Sequence, residues 1–232
     1  MHVPDGFLDA PTSVATGVIA AGGVAVALRG ARRELDDRTA PMAGLVAAFV
    51  FAVQMLNFPV GFGTSGHLMG GALAAVLVGP WTGVLCLSVV LVVQSLLFAD
   101  GGVTALGTNI TLMGLVTVVA GWLVFRGLLV VLPRRLSVVP TAAGIAALLS
   151  VPVAAVVFVG LYLVGGTVDV PIVPLTASMV GWHVLVGIGE GVITALTVGS
   201  IVAVRPDLVY GARPVIGSSE LEIRPGLKEQ TA

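Results

Sequence analysis

The chain begins Met1-His2-Val3-Pro4-Asp5, and a second histidine stands at His67 within Ser65-Gly66-His67-Leu68. A histidine at position two beside a free α-amine can offer three nitrogens to one ion: the amine, the intervening amide once deprotonated, and the imidazole. These close two fused chelate rings in one plane and leave one equatorial place, which His67 would fill. Four coplanar nitrogens suit Ni(II) or Cu(II), with Co(II) an alternative and Zn(II) less content in a plane. Such ligands must shed protons, so affinity should rise with pH. The start lacks the basic region and apolar core of a signal peptide, and a bulky residue at position two disfavours removal of the initiator methionine. The expectation is a chain that presents the Met1 amine.

Other polar residues fall at the same depth. Asn57, Ser65, Gln94, Asn109 and His183, with Asp5 in the N-terminal tail, are candidates to surround the nitrogen set and orient its imidazoles. Gln54 and Gln94 could equally be glue between helices, and Asn109 a helix cap. His183 and Glu190 are seven positions apart, on one helical face but about 10 Å apart along the axis, so they cannot pair. Glu190, among Gly187, Gly189 and Gly191, reads as structural.

The competing reading from another class is an intramembrane metal-dependent hydrolase using His67, His183 and Glu190. No His-Glu-x-x-His pair or serine elbow supports it. The single lysine, Lys228, follows no phosphate-binding loop, so any ATP-driven step would belong to another chain. A passive channel would need polar residues through the full depth, and the inner halves of the apolar runs are nearly bare of them.

These residues must be positioned by helices in lipid. Of 232 residues 57% are hydrophobic and 10% charged, with a mean hydropathy of +1.09, whereas soluble domains carry roughly a quarter charged residues. A soluble enzyme or nucleic-acid-binding protein is excluded. Runs long enough to cross a bilayer, about 17–25 residues, are expected at 12–28, 42–58, 66–79, 81–98, 109–132, 141–164 and 177–204, followed by a solvated polar tail at 205–232. Arg29, Arg32, Arg33, Arg38, Arg126, Arg134, Arg135, Arg205, Arg213, Arg224 and Lys228 all fall on one side of such a seven-helix bundle, while the other side carries only Asp5, Asp9, Asp100 and Asp169. Basic residues collect in the cytoplasm, so the N-terminus is outside and the C-terminus inside. Cys86 lies in an apolar run and reads as a small core side chain. The expected fold is an all-α, polytopic membrane protein.

The N-terminal octapeptide Met1-His2-Val3-Pro4-Asp5-Gly6-Phe7-Leu8, with Ser65-Gly66-His67-Leu68-Met69-Gly70-Gly71, Gly107-Thr108-Asn109-Ile110, the stretch from His183 to Gly191 and Arg205-Pro206-Asp207-Leu208, resembles the substrate-capture component of nickel and cobalt importers of the energy-coupling-factor type, the CbiM/NikM family. The resemblance covers essentially the whole chain. It implies metal ligation by the Met1 amine, the His2 amide and imidazole, and His67, and an N-terminal segment that plunges into the bundle. It also implies partners: a transmembrane coupling subunit, two cytoplasmic ATPases and, in many members, a small two-helix subunit, all in a prokaryotic cell membrane and without nucleic acid. The Pro4-Asp5-Gly6 start resembles nickel-type members more than the Met-Glu-Gly of many cobalt members, which points to Ni(II) first and Co(II), for cobalamin synthesis, second.

Overall fold

The computed structural model describes residues 1–36, 39–62 and 64–217. Arg38, Arg224 and Lys228, used above to orient the chain, lie outside them. The first helix, α1 (Ala10–Ala31), opens on Asp9, whose Oδ1 accepts from the Thr12 N–H at 2.8 Å, with Pro11 in the first turn, where its missing N–H costs nothing. Helix α2 (Thr39–Gln54) is entered through a reciprocal cap, Thr39 N–H to Asp36 Oδ1 and Asp36 N–H to Thr39 Oγ1, each 2.8 Å.

The chain then departs from helix. Strands β1 (Phe58–Gly61) and β2 (Thr64–Gly66) form an antiparallel hairpin. The second run, expected to stay helical to 58, therefore ends at Gln54. Pro59 disfavours helical geometry at the residue before it, and hydropathy alone does not register that. The expected third span, 66–79, shrinks to α3 (Gly71–Val78), eight residues that are all buried. At 1.5 Å per residue it is roughly 12 Å long, so the helix alone is shorter than a bilayer and the non-helical residues 67–70 complete the passage from the outer end to Gly79 at the inner end; its residues are apolar because protein surrounds them.

Gly79 reverses the chain with φ +98, at a point where a Cβ would meet the Glu34 carboxyl. Helix α4 (Pro80–Leu97) follows, then α5 (Leu106–Val131), which passes through a π-helical stretch at Ile110–Val116, and α6 (Val138–Gly165), which accommodates Pro152 in its interior. Helix α7 (Ile172–Val204) starts five residues earlier than expected. Helices α1, α4, α5, α6 and α7 are long and apolar enough to span a membrane, and α2 is shorter. Helices α6 and α7 approach closely: a Cβ at Gly144 would meet the Gly191 carbonyl, and one at Gly187 the Leu148 carbonyl, the small-residue contact that lets membrane helices touch.

The segment after α7 is not the solvated tail expected for 205–232. Two 3-10 turns, Pro206–Leu208 and Tyr210–Ala212, and a short helix α8 (Arg213–Ile216) fold back on the inner end of the bundle. Val209, Ala212 and Val215, three residues apart, are buried, and a Cβ on Gly211 would strike the Phe125 ring. Residues 218–232 lie outside the described residues.

Two apolar clusters result. The inner one is centred on α3 with Phe125, Val139 and Val198. The outer one contains Met1, Val3, Phe7 and Leu8 packed on Met69, Met113, Phe158 and Met179. The N-terminal segment is thus part of the core.

Candidate metal centre

Residues 1–8 run inside the outer end of the bundle, with Met1 and Val3 fully buried and His2 5% exposed. Asn109 grips them from α5: its Oδ1 accepts from the Val3 N–H at 2.7 Å and its Nδ2 donates to the Val3 carbonyl at 3.1 Å. The alternative reading of Asn109 as a helix cap gives way: its side chain clasps the N-terminal segment. The Gly102 N–H donates to the same Val3 carbonyl at 2.9 Å. Farther along, the Asp9 N–H donates to Gly165 O, the Thr167 N–H to Phe7 O, and the Thr167 hydroxyl to Gly6 O.

This path brings the Met1 nitrogen to 2.5 Å from Nε2 of His67. Nδ1 of His67 donates to its neighbour's carbonyl, Leu68 O, at 2.9 Å, which leaves the Nε2 lone pair directed at Met1. The His2 ring lies against the His67 ring, centroids 4.5 Å apart. Its Nε2 is 3.2 Å from Gln94 Oε1 and its Nδ1 is 3.1 Å from Asp100 Oδ1, while Asp100 Oδ2 accepts from Asn57 Nδ2 at 3.2 Å. Asp5 points elsewhere, with its Oδ1 accepting from both the N–H and the hydroxyl of Thr104.

His67 does not head a helix; it precedes α3 by four residues in an extended segment. Two buried polar side chains pin that segment. Gln54 Nε2 donates to Met69 O at 2.7 Å, and the Met69 and Gly70 N–H groups donate to Oε2 and Oε1 of Glu190 at 2.7 and 3.0 Å. Glu190 thus accepts from a loop rather than from a neighbouring helix. His183 donates from Nδ1 to Met179 O at 2.7 Å, and its buried Nε2 has no hydrogen-bond partner. Ser65 stands with His2, Asn57 and Asp100 around an outward-facing cleft of about 350 Å³.

The electrostatics favour neutral nitrogen donors. Burial pushes the Met1 amine down from 8.0 to about 4, against the raising effect of Asp100. Burial, followed by the nearby amine and His2, holds His67 well below its ordinary value. Asp100 is pushed up by burial, but the hydrogen bond and charge of His2 outweigh that and leave it below the usual range. The result is a pair of uncharged nitrogens, the Met1 amine and His67 Nε2, with a carboxylate at their outer edge, an arrangement suited to a divalent cation. Among the described residues no three His, Cys, Asp or Glu side chains converge as a ligand set, so a site here needs the backbone nitrogens of the first two residues.

The structure brings together Met1, His2, His67, Gln94, Asn57 and Asn109, and places Asp5 on the wall of the outer cleft, bonded to Thr104. Asp100, Thr104 and the loop-pinning roles of Gln54 and Glu190 were not foreseen. The available signal was Asp100-Gly101-Gly102, an acid followed by two glycines in an outer loop. Gly101 has φ +90, and a Cβ on Gly102 would strike Asp5, so these glycines let the loop close over the N-terminal segment.

Residues 2–208 match the family described as the cobalt uptake substrate-specific transmembrane region, CbiM, and the chain belongs to that family. It is 40% identical to a Haloquadratum walsbyi protein named for metal transport, over 90% of this chain and 94% of that one. It is 41% identical to an Archaeoglobus fulgidus protein named for fused nickel transport of the NikMN type, over 90% and 68%. It is 34% identical to the cobalt transport protein CbiM of Sorangium cellulosum, over 90% and 94%. A crystal structure of a truncated transition metal transporter superposes with a TM-score of 0.80 at 27% identity, covering 88% of this chain and 99% of that one. The protein is a multi-pass prokaryotic membrane component of nickel/cobalt transport, not an enzyme.

Proposed function

We propose that this chain captures Ni(II) from the outer side of the membrane, with the Met1 amine, the His2 amide and imidazole, and His67 Nε2 as the four donors. The observation that carries this reading is the 2.5 Å approach of the Met1 nitrogen to His67 Nε2, which puts two of the four donors side by side before any ion is bound. The hydrated ion enters the cleft lined by Asn57, Ser65 and Asp100, exchanges water for nitrogen, and displaces the amide proton of His2. Gln94 holds the His2 ring at Nε2, Nδ1 turns from Asp100 to the ion to close the chelate, and the Leu68 carbonyl fixes the His67 tautomer. Co(II) is the second reading, favoured by the family description and the name of the Sorangium relative.

Inward release needs partners: a transmembrane coupling subunit, two ATPases and, as a further component, a small two-helix subunit, consistent with the fused architecture named for the Archaeoglobus relative. Gly44, Ala48 and Ala52 form an exposed row of small residues on α2, a surface on which such a helix can pack closely.

The test is competition between Ni(II) and Co(II) at equilibrium with purified protein carrying its native first residue, read with the electronic spectrum. Nickel preference with the spectrum of a planar, four-nitrogen ion supports the reading. Cobalt preference would move the substrate to Co(II), and failure to bind either ion would overturn metal capture at this site.

A further inference from the structure

The inner end of the bundle contains a second built cavity. It measures about 390 Å³ and is lined by Arg33, Arg126 and Arg213 with Trp122, Tyr210 and Pro214. The Arg126 guanidinium lies 5.7 Å from the centre of the Trp122 ring and that of Arg213 4.9 Å from Tyr210, with the two rings 5.7 Å apart. Aromatic faces thus hold two guanidiniums in place. Among the described residues the nearby carboxylates lie on the Arg213 side: Asp36 Oδ2 is 3.8 Å from Arg213, and the Glu34 carboxylate, which also interacts with Arg213, accepts from the Trp81 and Thr82 N–H groups. Among the described residues neither Arg33 nor Arg126 has a carboxylate at ion-pair distance.

The cavity opens toward lipid. Arg126 lies five residues before the end of α5, and apolar residues flank it on both sides: Leu123 is 65% exposed, and Val130, nearer the helix end, 83%. An arginine at that depth sits at the edge of the hydrocarbon, where an unpaired charge is costly. A smaller cavity of about 170 Å³ shares Arg126 and Pro214 and runs on over Leu129 and Val130 to Arg134. A basic pocket continuous with an apolar lipid-facing groove matches the two halves of an anionic phospholipid, phosphate and acyl chain, and the cytoplasmic leaflet is where such lipids meet basic pockets between helices. A free phosphate would use the pocket and leave the groove empty.

We infer that this site binds one anionic phospholipid of the inner leaflet, with its phosphate among Arg33, Arg126 and Arg213 and its acyl chain along α5. The inference is independent of which metal the outer site takes.

The experiment uses the full chain carrying Trp81→Phe and Trp182→Phe, which leaves Trp122 as the sole indole, reconstituted into phosphatidylcholine vesicles. Brominated-chain phosphatidylglycerol or brominated-chain phosphatidylcholine is added at equal mole fraction, and Trp122 quenching is read. The expected result is quenching that saturates at several-fold lower mole fraction for the anionic lipid. Arg126→Gln should weaken it about five-fold, the share of one arginine. Arg126→Lys should retain much of it, and Arg29→Gln, which removes charge from the same face outside the cavity, should leave it unchanged. Equal quenching by both lipids would overturn the inference, as would an equal loss in Arg29→Gln, which would mark general surface charge. Relief of quenching by inorganic phosphate, but not by chloride at matched ionic strength, would assign the pocket to free phosphate and overturn the lipid.

Discussion

The nitrogen of Met1 lies 2.5 Å from Nε2 of His67, sixty-six positions along the chain. Neither residue reaches that position by itself. Asn109 and Gly102 hold the backbone of Val3, and Gln54 and Glu190 hold the backbone at Met69 and Gly70. The two proposed donors are therefore carried on segments of irregular backbone whose polar groups are satisfied by buried side chains, as membrane interiors require.

Glu190 should act on the metal through His67. Glu190→Ala leaves the Met69 and Gly70 N–H groups without acceptors, costing about 1–3 kcal/mol for each orphaned group. Metal affinity should fall by about 10–100-fold, the usual effect of losing a partner behind a ligand. Glu190→Gln keeps one acceptor and should recover part of both. Titration of Ni(II) beside a thermal melt checks this; unchanged affinity in a destabilised Glu190→Ala protein would confine Glu190 to folding.

Asp100 should matter through His2. Asp100→Asn keeps the shape and removes the negative charge 3.1 Å from His2 Nδ1, the attraction that draws a divalent ion to that nitrogen, and should weaken Ni(II) binding about 10–100-fold. Asn57→Ala, which removes only the outer hydrogen bond to Asp100, should cost less than Asp100→Asn in the same titration.

The apo protein should gain stability as pH rises from about 4 to 8. The Met1 amine is neutral in the fold above about 4 but protonated in the unfolded chain up to its ordinary 8.0, so over that window the unfolded state binds more protons and stability climbs with pH. Acetylating the amine removes the titrating group and should flatten this slope in thermal melts across the window.

The Asp5 clasp should weaken in acid. Its hydrogen bonds from Thr104, first the hydroxyl and then the N–H, lower the carboxyl from 3.8, so the clasp contributes fully above that value and fades as pH falls through the lower folded value. The stability difference between native protein and Thr104→Val should accordingly be present at neutral pH and shrink below about pH 4.

The sequence carries the helices that face lipid, because hydropathy reports exactly that partition, and it carries His2 and His67, because their chemistry is local to the chain start and a single position. It does not separate apolar residues buried in protein from those in contact with lipid, so the run 66–79 read as one continuous helix rather than a non-helical stretch followed by α3. Nor does it carry pairings across distance. Asp100 meets His2 only because Gly101 and Gly102 let the loop fold over the N-terminal segment, and Glu190 meets Met69 only because α7 crosses the loop ahead of α3. The π-helical stretch of α5 and the fold-back at Val209 to Val215 depend in the same way on neighbours that no local pattern names.

The central claim is tested most directly by inserting one alanine between Met1 and His2 and measuring Ni(II) affinity beside the native protein. The insertion leaves every helix intact but moves the histidine to position three, displacing the amine from His67 and lengthening the chelate by one residue. The account predicts one tightly bound ion in the native protein and a loss of affinity well beyond 100-fold in the variant, larger than the loss of any supporting residue. Equal affinity in the two proteins would contradict it.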